Sequence, residues 1–110
     1  MKITVNGYDF NVNFVSSRHP EMDILRDNSE DKIEVLGSTK VVSGEVFIRN
    51  DMNERTTKST INHELTHVFA FCYGVKFTDE ESVCDFIGAY LETMKTLSDA
   101  ILKQWKRCCQ

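Results

Sequence analysis

The chain lacks several features that would set it apart from ordinary globular proteins. No apolar run approaches the roughly 20 residues that a membrane span needs, so no membrane partner is expected. There is no basic excess. Thirteen Lys and Arg face 17 Asp and Glu, and the net charge of −4 gives no electrostatic case for nucleic acid. No repeat or low-complexity tract interrupts the 110 residues. Met1 to Val5 meets Asn6-Gly7 too soon to form the apolar core of a signal peptide, so a cytoplasmic location is expected. The four cysteines form no framework: Cys72 and Cys84 fall within helical patterns, and a disulfide between adjacent Cys108 and Cys109 would be strained. Free thiols are expected. With 41% hydrophobic and 10% aromatic residues, one domain spanning residues 1–110 has enough apolar mass for a modest core.

Histidine is also scarce, with three in the chain, and two of them stand in His63-Glu64-Leu65-Thr66-His67. The spacing H-E-x-x-H carries chemistry. On a helix, residues four apart lie about one turn apart on the same side, so both imidazoles can reach one metal ion. Glu64 sits at the edge of that face, placed to deprotonate a metal-bound water. The neighbourhood predicts the helix. Thr56-Thr57 open it, Ile61, Leu65, Val68 and Cys72 recur at helical spacing, and Gly74 closes it. His63, Glu64 and His67 then share an arc of roughly 100°, with the apolar positions largely on the other side.

A catalytic zinc usually takes three protein ligands and leaves one position open. No histidine follows His67, and His19, before Pro20, reads more readily as a loop residue. The downstream carboxylates compete for the third place. Glu81 and its neighbour Glu80 open a second helix, and Asp85 follows Glu81 by one turn. Glu81 has a second reading, as partner of Thr78 in a capping box.

These residues resemble a known arrangement. His63-Glu64-x-x-His67 followed by Glu81-x-x-Cys84-Asp85-x-Ile87-Gly88 is similar to the gluzincins, especially the small ImmA/IrrE-type metallopeptidases of phages and mobile elements. The likeness spans about residues 37 to 95. Cys84 stands where that family usually has Ala, and the 110 residues are expected to hold the peptidase-like domain without an accompanying DNA-binding or sensor domain. The resemblance implies a zincin-like α+β fold and a zinc-dependent endopeptidase acting on a peptide or protein substrate. It implies Zn²⁺ held by His63, His67 and Glu81, with Asp85 hydrogen-bonded to a ligating imidazole and Glu64 as catalytic base. The alternatives are a non-catalytic, zinc-stabilised phage or mobile-element binding protein, or an amidase. Tyr73, Tyr90 and His19 are candidate oxyanion donors.

The rest of the chain supplies a small sheet and a long helix. Residues 2 to 15 predict a β-hairpin around Asn6-Gly7, with Tyr8, Phe10, Val12 and Phe14 on one face. Pro20 predicts a short helix through Leu25, and the charged run from Arg26 to Glu34 a solvated segment. A second hairpin is expected around Ser43-Gly44, with Thr39 to Val42 leading in and Glu45 to Arg49 leading out. Val46 and Ile48 then face one side and Phe47 the other. The resemblance to zincin-like folds implies that this strand borders the cleft, with Val46, Phe47, Ile48 and Arg49 holding an extended substrate by strand addition; the alternative is a buried inner strand with no free edge. A final helix is expected from about Asp79 to Lys106, with Gly88 allowing close approach to the motif helix. Its Ile101, Leu102 and Trp105 either fold back on the sheet or seat a second copy, giving a monomer or a homodimer.

Overall fold

In the computed structural model, which describes residues 1–22 and 35–109, Asn6 and Gly7 both hold positive φ, 48° and 82°. Such a turn suits the twist of the strands it joins, β1 (Lys2–Val5) and β2 (Tyr8–Val15), which pair antiparallel. Ile3, Val5, Phe10 and Val12 are buried on one face, as period-two alternation requires. The outer members of the aromatic run are less covered: Phe14 is partly buried, and Tyr8 is exposed against Phe71.

A second hairpin joins β3 (Gly37–Lys40) to β4 (Glu45–Arg49). Its first strand lies earlier than Thr39 to Val42, because Val42 is at the fully exposed tip of the turn. Gly44 has φ of 69° and lies against β2: a Cβ there would meet the Asp9 carbonyl at 2.8 Å, and its own carbonyl accepts from the Asn11 amide. The hairpins are joined by parallel pairing of β2 with β4, giving the sheet order β1-β2-β4-β3. Val46 and Ile48 are buried as expected, and Phe47 points to the other face, where its ring meets His19 at 5.2 Å. Pro20–Met22 forms a short 3₁₀ helix beside β3, tied by the Glu21–Lys40 ion pair. Leu25 and the run from Arg26 to Glu34 lie outside the described residues.

Helix α1 (Glu54–Cys72) begins earlier than Thr56-Thr57 suggests. Asn53 is the cap, its Oδ1 accepting the Thr56 amide at 2.8 Å. Gly74 ends the helix as expected. Its φ of 66° lets the Val75 amide reach the Ala70 carbonyl and its own amide the Phe71 carbonyl. Helix α2 (Glu80–Cys108) is capped one residue later than Thr78 and Glu81 would give: Asp79 and Ser82 exchange side chain-to-backbone hydrogen bonds. Glu81 has no part in that box.

The helices form an antiparallel pair on one face of the sheet. Glu54 meets Lys106, Asn62 meets Ser98, and both Phe69 and Tyr73 meet Tyr90. The core lies between them and the sheet, with Ile48, Ile61, Val68 and Phe69 wholly buried. Ile101 and Trp105 are also buried, so they pack within the chain and offer no docking face. Gly88 has nothing within 4 Å of a Cβ built on it, so it is not a point of helix–helix approach. The chain is therefore an α+β fold, with a four-stranded mixed sheet and two α-helices, the second long, among the described residues. Among the described residues no helix is long and apolar enough to cross a membrane.

Candidate functional site

His63, Glu64 and His67 all lie in the middle of α1. The sheet-facing side of that helix carries Ile61, Leu65 and Val68, which fixes its rotation. Both imidazoles consequently stand on the exposed flank with ring centroids 5.0 Å apart. Glu64 turns inward and is only 5% exposed. Its Oε1 accepts a 2.8 Å hydrogen bond from the Thr39 hydroxyl, while Oε2 lies 3.9 Å from His63 Nε2. One carboxylate oxygen is thus fixed to the sheet and the other directed toward an imidazole.

Strand β3 makes this possible. Gly37 and Thr39, two apart, share one face of the strand. A Cβ on Gly37 would fall 2.9 Å from Thr60 Cγ2 and 3.0 Å from Glu64 Cγ, so only glycine leaves room for the Glu64 stem. Thr39 then meets the carboxylate. Neither residue stands out in the sequence beyond the alternation of a strand, because nothing local says that this strand lies beside α1.

The downstream acids do not join the histidines. Tyr73 and Tyr90 are level where the helices stack. At 1.5 Å per residue, Glu81 lies about 13 Å from that level in one direction and His67 about 9 Å in the other. The flank differs too: Asn62, Phe69 and Tyr73 face α2, while His63 and His67 lie roughly 100–140° further round α1. Glu80, Glu81 and Asp85 are exposed in the first turns of α2. The placement of Glu81 as third ligand, and of Asp85 as support to an imidazole, is not met by this helix register. Among the described residues no group of three His, Cys, Asp or Glu side chains is gathered for a metal.

The remaining candidates are also displaced. His19 stacks on Phe47, which points to the sheet face opposite α1, and accepts the Glu21 amide at Nδ1. Tyr73 and Tyr90 stack on each other at 4.4 Å on the α2 side. Val46, Phe47, Ile48 and Arg49 form an inner strand bonded to β2 on one side and β3 on the other, so their backbone has no edge for an added strand. The edge strand beside Glu64 is β3.

For a zinc ion the donor set fits in part. Two imidazoles one turn apart, with an adjacent carboxylate, are the donors and base that zinc hydrolysis uses. A closed structural site would need four ligands, which two exposed imidazoles do not make. No protein-family model matches the chain, and no curated protein and no solved structure is significantly similar to it.

Proposed function

We propose that this chain is a zinc-dependent peptide hydrolase on a zincin-like frame, with His63 and His67 as its imidazole ligands and Glu64 as its base. The observation that carries the reading is Glu64: a buried carboxylate, anchored through one oxygen by Thr39 and open through the other toward the imidazole pair. A carboxylate taken out of water is costly, and a structural metal site has no use for it. Zinc, when bound, supplies a Lewis acid for the attacking water and the scissile carbonyl. Glu64 takes the water proton and delivers it to the leaving amine. Thr39 holds the carboxylate so that its free oxygen faces the reaction. Pairing of an extended peptide with the outer edge of β3, which has no strand partner among the described residues, would bring its backbone past Glu64. The proposal assigns no ligand role to Glu81.

The rival is a binding protein that takes zinc without catalysis, favoured by the gathering of only two ligating side chains among the described residues. Elemental analysis with a peptide-cleavage assay decides between them. The expected result is one zinc per chain, lost in His63→Ala and His67→Ala. Glu64→Gln should keep the metal and lower cleavage by at least about 10²-fold, the scale of general-base catalysis. Zinc without cleavage by wild type would favour the binding protein, and absence of zinc would overturn both.

A further inference from the structure

Helix α2 ends in two adjacent thiols that the motif does not use. Cys108 is its last residue and is exposed; Cys109 is its cap, half-buried, with its amide bonded to the Trp105 carbonyl at 2.8 Å. This helix end brings both side chains to one place, and their sulfurs lie 3.4 Å apart. The Cys108 thiol also donates to the Gln104 carbonyl at 3.0 Å, which leaves Cys109 as the donor across the sulfur pair. The other two cysteines stand elsewhere. Cys72 is buried on α1, and Cys84 is exposed about 36 Å back along α2.

The sulfur spacing decides what such a pair can hold. An internal disulfide is disfavoured, since neighbouring Cα atoms stand about 3.8 Å apart and the bond usually spans roughly 4.4–6.8 Å. A single atom bridging the two sulfurs makes no such demand. With sulfur bonds of about 2.3 Å, a 3.4 Å separation gives an angle of roughly 95° at that atom. An ion that binds two thiolates in line needs sulfurs about 4.6 Å apart, and a tetrahedral zinc about 3.8 Å. Zinc would also need further ligands, and among the described residues no group of three is gathered. The smaller angle suits a pyramidal atom with a lone pair, as in trivalent arsenic. Proton balance points the same way. Burial, and then the hydrogen bond and charge of Cys108, push the Cys109 thiol up to about 11. A bare cation has to expel that firmly held proton, whereas an arsenic(III) compound carries oxygen ligands that leave with it as water.

We infer that Cys108 and Cys109 form a chelating site for monosubstituted trivalent arsenicals, independent of the imidazole pair on α1. The step is a condensation with the dihydroxide that such a compound forms in water. Two As–O bonds break, two As–S bonds form, both thiol protons leave in the two waters released, and nothing is oxidised. The test uses phenylarsine oxide on the full chain, reduced with a phosphine so that no competing thiol is present. Mass spectrometry should show one phenylarsenic group per chain, resistant to excess glutathione and removed by a small dithiol. Cys108→Ser and Cys109→Ser should each bind at least about 10²-fold more weakly, because the second bond loses its intramolecular advantage. Cys108 is exposed, so its serine variant keeps the helical circular dichroism of wild type. Cys84→Ser should bind as wild type does. A wild type that takes no arsenical, or that yields it to glutathione as readily as the Cys108→Ser variant, overturns the site. So does a product that links two chains, or loss of binding in Cys84→Ser.

Discussion

Glu64 is the one charged residue that the fold buries among the described residues, and a single neutral hydroxyl anchors it. Thr39→Val removes that donor and leaves a buried oxygen without a partner, so it should cost about 1–3 kcal/mol in urea denaturation. Thr39→Ser should retain most of the stability. Gly37→Ala presses a methyl against Thr60 and the Glu64 stem and should cost about 1–3 kcal/mol as overpacking. Asp9 tests a simpler case at the surface. The Thr4 hydroxyl, and next to it Lys2, hold its carboxyl below the usual value. A lowered folded value favours the native state above the ordinary Asp pKa, a contribution lost as pH falls through the lowered one. Thr4→Val should move the Asp9 titration upward, read by NMR. The two histidines were legible in the sequence because a helical repeat is a local property. Thr39 and Gly37 were not, because their role depends on a strand placed beside a helix that begins 14 residues after Lys40.

Helix ends separate what a short stretch of sequence decides from what competes within it. Gly74 could be read as the stop of α1 because a left-handed residue after a helix is a local demand that glycine meets best. Gly74→Ala should cost about 1–2 kcal/mol for the same reason. The start was misplaced because several polar residues in a row can cap, and Asn53, with its side-chain acceptor, is preferred over Thr. Asn53→Ala should therefore cost about 1 kcal/mol in the same denaturation assay, while Thr56→Ala, outside the cap, should cost less. At the start of α2, Asp79 and Ser82 take the box that Thr78 and Glu81 also spell out. The apolar pattern of α2 was visible along its length. Which half is covered was not, because that depends on where α1 ends against it.

At the scale of the whole molecule, pairing and register decide what the motif can become. Both hairpins follow from turn chemistry, but the parallel contact of β2 with β4 joins segments more than 30 residues apart and makes β4 an inner strand. The antiparallel register of α1 and α2 separates Glu81 from His67 by on the order of 20 Å along the pair. That separation yields a test that does not depend on a substrate. Metal bound by the native state alone raises the stability of the whole cooperative unit, by ~2.7 kcal/mol when zinc stands at 100 times its dissociation constant. For a domain of this size that is a rise in Tm of about 10 °C. Wild type should show the rise in calorimetry with added zinc, and His63→Ala and His67→Ala should lose it. Glu81→Gln should keep it in full, because the carboxylate lies at the far end of α2 on another flank. Loss of the rise in Glu81→Gln would mean that α2 shifts along α1 when metal binds, and that the ligand set resembles the gluzincin one after all.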